Sequence, residues 1–145
     1  MQNILIVCTG NICRSPMAEG LMAAALPWAR VTSAGTAALV GRPAEPMART
    51  LMLERGERID EHRARQIDSE LCGASDLILV MEDAHRLELR QRFPLAHGKV
   101  FRLLGASGDV LDPYHRGIDA FRSALAQIEG GVKHWVERIC QLSKR

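Results

Sequence analysis

The chain has 145 residues, 47% of them hydrophobic and 25% charged, with a formal net charge of +2. That length fits one domain, expected over residues 1–145, built on a single full-sized core. The charge is too small to draw the protein to nucleic acid by bulk attraction. No apolar run approaches the roughly 18 residues of a membrane span, so no membrane insertion is expected.

The start, MQNILIVCTG, lacks the basic region and long apolar stretch of a secretory signal, so the mature chain is expected to begin there. Four cysteines, Cys8, Cys13, Cys72 and Cys140, stand in a chain large enough to do without staples. They point to a reducing, cytoplasmic compartment. No CxxC pair occurs and no histidine falls at zinc-like spacing from a cysteine, so neither metal nor cofactor is expected.

Ile4 to Val7 is a continuous apolar run, the pattern of a strand buried on both faces. Ser15 and Pro16 open a helix whose buried stripe is Met17, Leu21, Met22 and Ala25, ended by Pro27. Val31 to Ala34 reads as a second strand, closed by Gly35. A loop punctuated by Pro43 and Pro46 leads into a helix over Met47 to Arg55, stopped by Gly56. Leu77 to Met81 is a third strand. Asp83 is placed to cap a helix running towards Phe93 and Pro94, and Val100 to Leu104 is a fourth strand. Ile118, Phe121, Leu125, Ile128, Val132, Val136 and Ile139 recur at three- and four-residue spacing, marking a long terminal helix. Gly130 and Gly131 interrupt its pattern. Strands alternating with helices define an α/β fold on a mainly parallel sheet. Ligands of such sheets sit beyond the carboxyl ends of the strands. Cys8 lies at one such end and Asp112 a few residues beyond another.

The segment Cys8-Thr9-Gly10-Asn11-Ile12-Cys13-Arg14-Ser15 joins the first strand to the first helix. A loop of this length can curl so that successive backbone N–H groups point inwards and bind an anion, helped by the helix N-terminus. Gly10 and Asn11 are suited to left-handed backbone angles. Arg14 supplies a planar fork for phosphate oxygens. The cysteine at the head of the loop turns phosphate binding into phosphate chemistry. The amides, the helix terminus and Arg14 all favour its thiolate. The Ser15 hydroxyl either donates to that sulfur or caps the helix. The same donors hold the equatorial oxygens of a phosphoryl group during transfer. A carboxylic acid on a separate loop, Asp112, can protonate the leaving oxygen and then activate water. Pro113 stiffens that loop. A flat face at Tyr114 suits an aryl phosphate.

CTGNICRSPMAEG after a buried strand, with a distant DPY, resembles the low-molecular-weight protein tyrosine phosphatases, and the resemblance runs through essentially the whole chain. It implies a three-layer fold with a four-stranded parallel sheet flanked by helices, no metal, and a phosphocysteine intermediate. By that resemblance Cys8 is the nucleophile, Arg14 the phosphate clamp, Ser15 the hydrogen-bond donor to the thiolate and Asp112 the general acid. Leu39, Tyr114 and His115 form the substrate walls, with Val40 a second apolar candidate. His115 stands where many eukaryotic members carry another aromatic residue, which places the chain nearer the bacterial branch. Asn11, Ser33 and His62 match a hydrogen-bonded network bracing the loop. Cys13 matches a position able to form a protective disulfide with the nucleophile, whereas Cys72 and Cys140 read as structural. The resemblance also implies a tyrosine-phosphorylated protein as partner, such as a bacterial tyrosine autokinase governing exopolysaccharide production.

Three other readings compete. A thioredoxin-coupled arsenate reductase needs a relay of two further cysteines on a mobile segment. Here Cys72 has no partner close in sequence and Cys140 sits in the terminal helix. A non-catalytic phosphotyrosine-binding module requires neither the Cys8 thiol nor the Asp112 acid. A nucleotide-binding loop requires GxxxxGK[ST], and no such segment follows the first strand.

Overall fold

The computed structural model describes residues 1–143. The terminal pair of the expected 1–145 span lies outside the described residues. Four strands, β1 (Asn3–Cys8), β2 (Arg30–Gly35), β3 (Leu77–Val80) and β4 (Val100–Arg102), form one wholly parallel sheet in the order β2-β1-β3-β4. Helices α1 (Arg14–Ala25), α2 (Pro46–Glu54), α3 (Ser69–Ala74), α4 (Asp83–Arg92) and α5 (Ile118–Ser143) cover it.

The apolar run of β1 is explained by its place between β2 and β3. Ile4, Ile6 and Cys8 face the core built with α1, α2 and α5, through Met17, Met22, Leu51, Met52, Phe121, Leu125 and Ile128. Leu5 and Val7 face the opposite core, with Ile67, Cys72, Leu89 and Val100. Period-two alternation thus serves two apolar layers. The chain leaves β1 towards β2 on one side and later returns to β3 on the other. The carboxyl end of β1 is therefore the switch point where such sheets open a crevice.

Several sequence expectations shift. The first helix starts at Arg14, so Pro16 occupies its third position, where no intrahelical N–H bond is lost. Ala25 is exposed, and Leu26 completes the buried stripe instead. The helix before Gly56 runs from Pro46 to Glu54, with Pro46 in its first turn. Glu82, not Asp83, is the N-cap of α4; Asp83 lies in the first turn, and its carboxylate accepts from Arg86 Nε at 2.7 Å.

The third strand ends at Val80, and the fourth ends at Arg102. Just past that end the Leu103 N–H still donates to the Val80 carbonyl at 2.8 Å. Ile118 is exposed at the start of α5. That helix continues through Gly130 and Gly131 without a break. Gly131 is there for space: a Cβ would lie 2.8 Å from Leu103 Cγ and 3.1 Å from its carbonyl oxygen. Helix α3 went unread because it has only six residues, although Asp68 caps it by accepting from the Leu71 N–H at 2.8 Å. No helix among the described residues is long and apolar enough to cross a membrane.

Candidate active site

Beyond Cys8 the chain curls before entering α1, and the curl is fastened from outside. The carbonyls of Cys8, Thr9, Gly10 and Ile12 accept from the N–H groups of Thr36, Ala37, Leu39 and Glu45 at 2.8–3.1 Å. The Asn11 carbonyl accepts from His62 Nε2 at 2.6 Å. Among the described residues every peptide bond is trans, so each N–H lies opposite the carbonyl that precedes it. Five outward carbonyls therefore turn the N–H groups of Thr9, Gly10, Asn11, Ile12 and Cys13 to the inner side of the loop. The N-terminus of α1, with no side-chain cap, adds its partial positive charge beside them. Together they make a concave array of donors suited to a tetrahedral anion.

Asn11 carries the curl. Its φ of +59° is left-handed, whereas Gly10 does not adopt a positive φ. The Asn11 side chain ties the loop to its surroundings: Nδ2 donates to Ser15 Oγ at 2.7 Å and Ser33 Oγ at 3.0 Å, and Oδ1 accepts from the Arg65 N–H at 2.9 Å. Ser33 in turn donates to Glu19 Oε1 at 2.6 Å. Ser15 Oγ accepts from Asn11 and lies 3.0 Å from Cys8 Sγ, so its own proton is available to that sulfur. Ser15 thus lies inside α1 as a donor to sulfur and does not cap the helix. Gly35 lets β2 approach: a Cβ there would stand 2.3 Å from the Thr9 carbonyl oxygen.

Arg14 is buried, and its guanidinium is held from behind. Nη1 donates to Glu82 Oε2 at 2.5 Å and to the Val110 carbonyl at 2.7 Å. Nη2 lies 3.5 Å from Thr9 Oγ1 and 3.6 Å from Asp112 Oδ2. Nε is buried without a partner among the described residues. An unmet buried N–H is costly; the edge formed by Nε and Nη2 is the one left for two oxygens of an anion.

The resulting pocket, about 200 Å³, is lined by Cys8, Thr9, Gly10, Ile12, Cys13, Arg14, Ala37, Leu39, Asp112 and Tyr114. Asp112 stands exposed at its mouth and accepts from the Tyr114 N–H at 3.1 Å. Of the expected walls, Leu39 and Tyr114 line the pocket. His115 does not: it is exposed, at φ +63°, with its ring centroid 3.8 Å from that of Tyr114. Val40 is exposed. Burial pushes the Cys13 thiol far above its ordinary range, and the negative charges of Cys8 and Asp112 add to the effect. Cys13 therefore remains a thiol in the pocket it lines with Cys8. Cys72 is buried in α3 and Cys140 half-buried in α5; neither lines the pocket.

Sequence reasoning missed the second ring of residues. Glu82 lies two residues beyond β3, and β3 is the neighbour of β1, so the strand-end rule that singled out Cys8 also applies to Glu82. His85 is one helical turn on. Its Nδ1 accepts from the Glu82 N–H at 3.1 Å, which leaves the ring proton on Nε2 to donate to Thr9 Oγ1 at 2.9 Å. Burial, and then the positive charge of Arg14, lower the His85 pKa and keep the ring neutral. Among the described residues no three His, Cys, Asp or Glu side chains gather as a metal cage.

The site is a thiol-headed strand-loop-helix curl with inward donors, set at the carboxyl end of β1 in a four-stranded parallel sheet. The family model described as low molecular weight phosphotyrosine protein phosphatase matches residues 3–144, and the chain belongs to that family. It is 47% identical over 140 residues to the probable low molecular weight protein-tyrosine-phosphatase EpsP of Ralstonia nicotianae, covering 96% of this chain and 97% of the relative. It is 39% identical over 139 residues to the low molecular weight protein-tyrosine-phosphatase Wzb of Escherichia coli K12, covering 94% and 95%. The solved structure of Vibrio vulnificus Wzb in complex with benzylphosphonate superposes with a TM-score of 0.91 at 38% identity, covering 94% of this chain and 98% of that one. The protein is accordingly a protein-tyrosine phosphatase with bacterial relatives.

Proposed function

We propose that this chain is a single catalytic domain that hydrolyses phosphotyrosine on cytoplasmic proteins through a phosphocysteine at Cys8. One arrangement carries the reading: the inward amides of the loop and the unpartnered Arg14 Nε surround the same small pocket as the Cys8 sulfur. The thiolate attacks phosphorus while the bond from phosphorus to the tyrosine oxygen breaks. Asp112, exposed at the mouth of the pocket, delivers its proton to that oxygen, so tyrosine leaves neutral. The equatorial phosphoryl oxygens stay on the loop amides and on Nε and Nη2 of Arg14.

In the second step the Asp112 carboxylate takes a proton from water as the water oxygen bonds to phosphorus. The phosphorus–sulfur bond breaks, the thiolate is received by the Ser15 hydroxyl, and inorganic phosphate departs. Leu39 and Tyr114 form the apolar sides that hold the aromatic ring. The benzylphosphonate bound by the Vibrio relative, an aryl-methyl phosphonate, is the kind of ligand such walls accept. Within the cell the phosphoprotein is a bacterial tyrosine autokinase of exopolysaccharide production.

The chemistry is tested by acid-quenching a reaction in progress and mapping phosphorus by mass spectrometry. A phosphate on Cys8 is expected; phosphate on another residue, or on none while hydrolysis proceeds, overturns the mechanism. The partner is tested by comparing kinase phosphotyrosine in cells with and without the protein, where unchanged levels remove the autokinase as substrate.

A further inference from the structure

A second concavity, larger than the Cys8 pocket, lies elsewhere on the surface. A trough of about 910 Å³ runs along β4, between α4 on one side and α5 on the other. The order of the sheet makes β4 an edge strand, and among the described residues its outer side pairs with no other strand. An uncovered edge presents peptide N–H and C=O groups that an extended chain can pair with.

The walls of the trough carry one sign of charge. Arg86, Arg90, Arg102 and Arg138 line it, and no Asp or Glu does. The whole chain, by contrast, nearly balances 19 basic residues with 17 acidic ones. Arg86 and Arg102 are met from outside the trough by Asp83 at 2.7 Å and Asp109 at 3.3 Å. Arg90 and Arg138 are exposed and meet no carboxylate within 4.0 Å among the described residues. Two aromatic residues stand between the cations. Phe101, 46% exposed on β4, lies 5.7 Å from Trp135, whose Nε1 donates to the Leu103 carbonyl at 3.0 Å; the Arg138 guanidinium sits over the Trp135 ring.

One end of the trough is wired to the catalytic pocket. Asp109, the partner of Arg102, also accepts from the Asp83 N–H at 2.9 Å. The neighbours of those two acids, Val110 and Glu82, are the groups that hold Arg14.

We propose that this trough docks an extended acidic segment of the phosphoprotein substrate, pairing it against the free edge of β4 while its phosphotyrosine enters the Cys8 pocket. The role given to the phosphotyrosine rests on the function proposed above; the affinity for an acidic chain does not. Arg90 and Arg138 read the negative side chains, Phe101 and Trp135 receive the apolar stems between them, and the strand edge accepts any extended backbone. Specificity then comes from charge spacing, not from a single side chain.

The test uses the full chain and a fluorescein-labelled, unphosphorylated peptide rich in glutamate, read by anisotropy. Saturable binding that weakens with salt is expected, about tenfold weaker in the Arg90→Glu/Arg138→Glu protein. Melting temperature of that variant is measured alongside, and the milder Arg90→Gln/Arg138→Gln pair is expected to fall between. No binding, or binding untouched by both variants at unchanged melting temperature, overturns the proposal.

A second arm compares phosphotyrosine peptides with acidic and neutral flanks. The acidic flank is expected to raise kcat/KM about five- to tenfold, through KM. That advantage should vanish in the reversed variant while p-nitrophenyl phosphate turnover stays unchanged. Equal kcat/KM for the two flanks counts against docking, whereas failure to hydrolyse p-nitrophenyl phosphate defeats the phosphatase reading and leaves the anisotropy result to decide the trough. Self-association in sedimentation that the reversal abolishes, or equally tight binding to phosphatidylserine vesicles or to single-stranded DNA, would assign the trough to another occupant and overturn the peptide.

Discussion

The neutral imidazole of His85 donates to the hydroxyl of Thr9, joining the first turn of α4 to the first peptide of the phosphate loop. With that lone pair occupied, the Thr9 proton is free to turn into the pocket that Thr9 lines. The contact also sets a pH limit. Burial holds the folded pKa of His85 below its ordinary 6.5. Its contribution to stability is therefore complete above about 6.5 and is lost as pH falls through the lower folded value, because charging the ring favours the unfolded chain. Urea unfolding at pH 7.5 and 5.0 should show a smaller loss for His85→Asn than for the parent protein. An equal loss in both would place the acid sensitivity elsewhere.

The Asn11 side chain joins three other residues and its backbone holds a left-handed angle, so Asn11→Ala removes two donated bonds and one accepted bond at once. A stability loss of about 2–4 kcal/mol is expected from the bonds and the backbone angle together. Turnover should fall as well, since Ser15 loses the partner that leaves its proton available to sulfur. Chemical denaturation together with kcat measures both. A variant of parental stability and rate would show that the loop holds its shape without this hub.

Gly35→Ala asks for a methyl group 2.3 Å from a carbonyl oxygen of the phosphate loop. The obstacle is backbone, so either β2 or the loop must move. A cost of about 1–3 kcal/mol is expected, with weakened vanadate binding measured by inhibition. Vanadate affinity equal to that of the parent protein would mean that β2 yields and the loop does not.

Cys8→Ser should lower kcat at least about a thousandfold yet retain phosphate binding, since the amides and Arg14 remain. Asp112→Ala should slow poor leaving groups by about 10²-fold or more and good ones much less. A series of aryl phosphates measures this; a uniform loss across the series argues against a proton transfer from Asp112. EDTA should leave the rate unchanged because main-chain donors and a guanidinium supply the positive charge.

The Cys13 thiol, kept protonated by its surroundings, lines the same pocket as Cys8. Mild peroxide should produce a reducible Cys8–Cys13 bridge, detected by mass spectrometry after tryptic digestion. Sulfinic acid at Cys8 with no bridge would deny Cys13 a protective part.

The sequence made the strands and the phosphate loop readable because their signals are local. A run of four apolar residues, a thiol at its end and an arginine six residues on are contiguous in the chain. Asp112 was readable through the proline and tyrosine that follow it. What escaped were residues whose role exists only after the sheet is assembled. Glu82 and His85 matter because β3 lies beside β1, a neighbour relation that no local pattern spells out. Gly131 looked like an interruption of α5 because the partner that needs its space, Leu103, is 28 positions away. Gly10 and Asn11 both looked suited to left-handed geometry, and of the two only Asn11 adopts it, because an amide side chain can both take that angle and bond across the turn.

The outward carbonyls of the phosphate loop have a consequence for transplantation. Their donors come from residues 36–45 and from His62, so the eight-residue stretch from Cys8 to Ser15 does not hold its own shape. Excised as a peptide, it would spread its amides into water and keep no grip on phosphate. Grafted onto a foreign strand and helix, it would need those distant tethers brought along. A recognisable signature here is a string of instructions that only its native scaffold can execute.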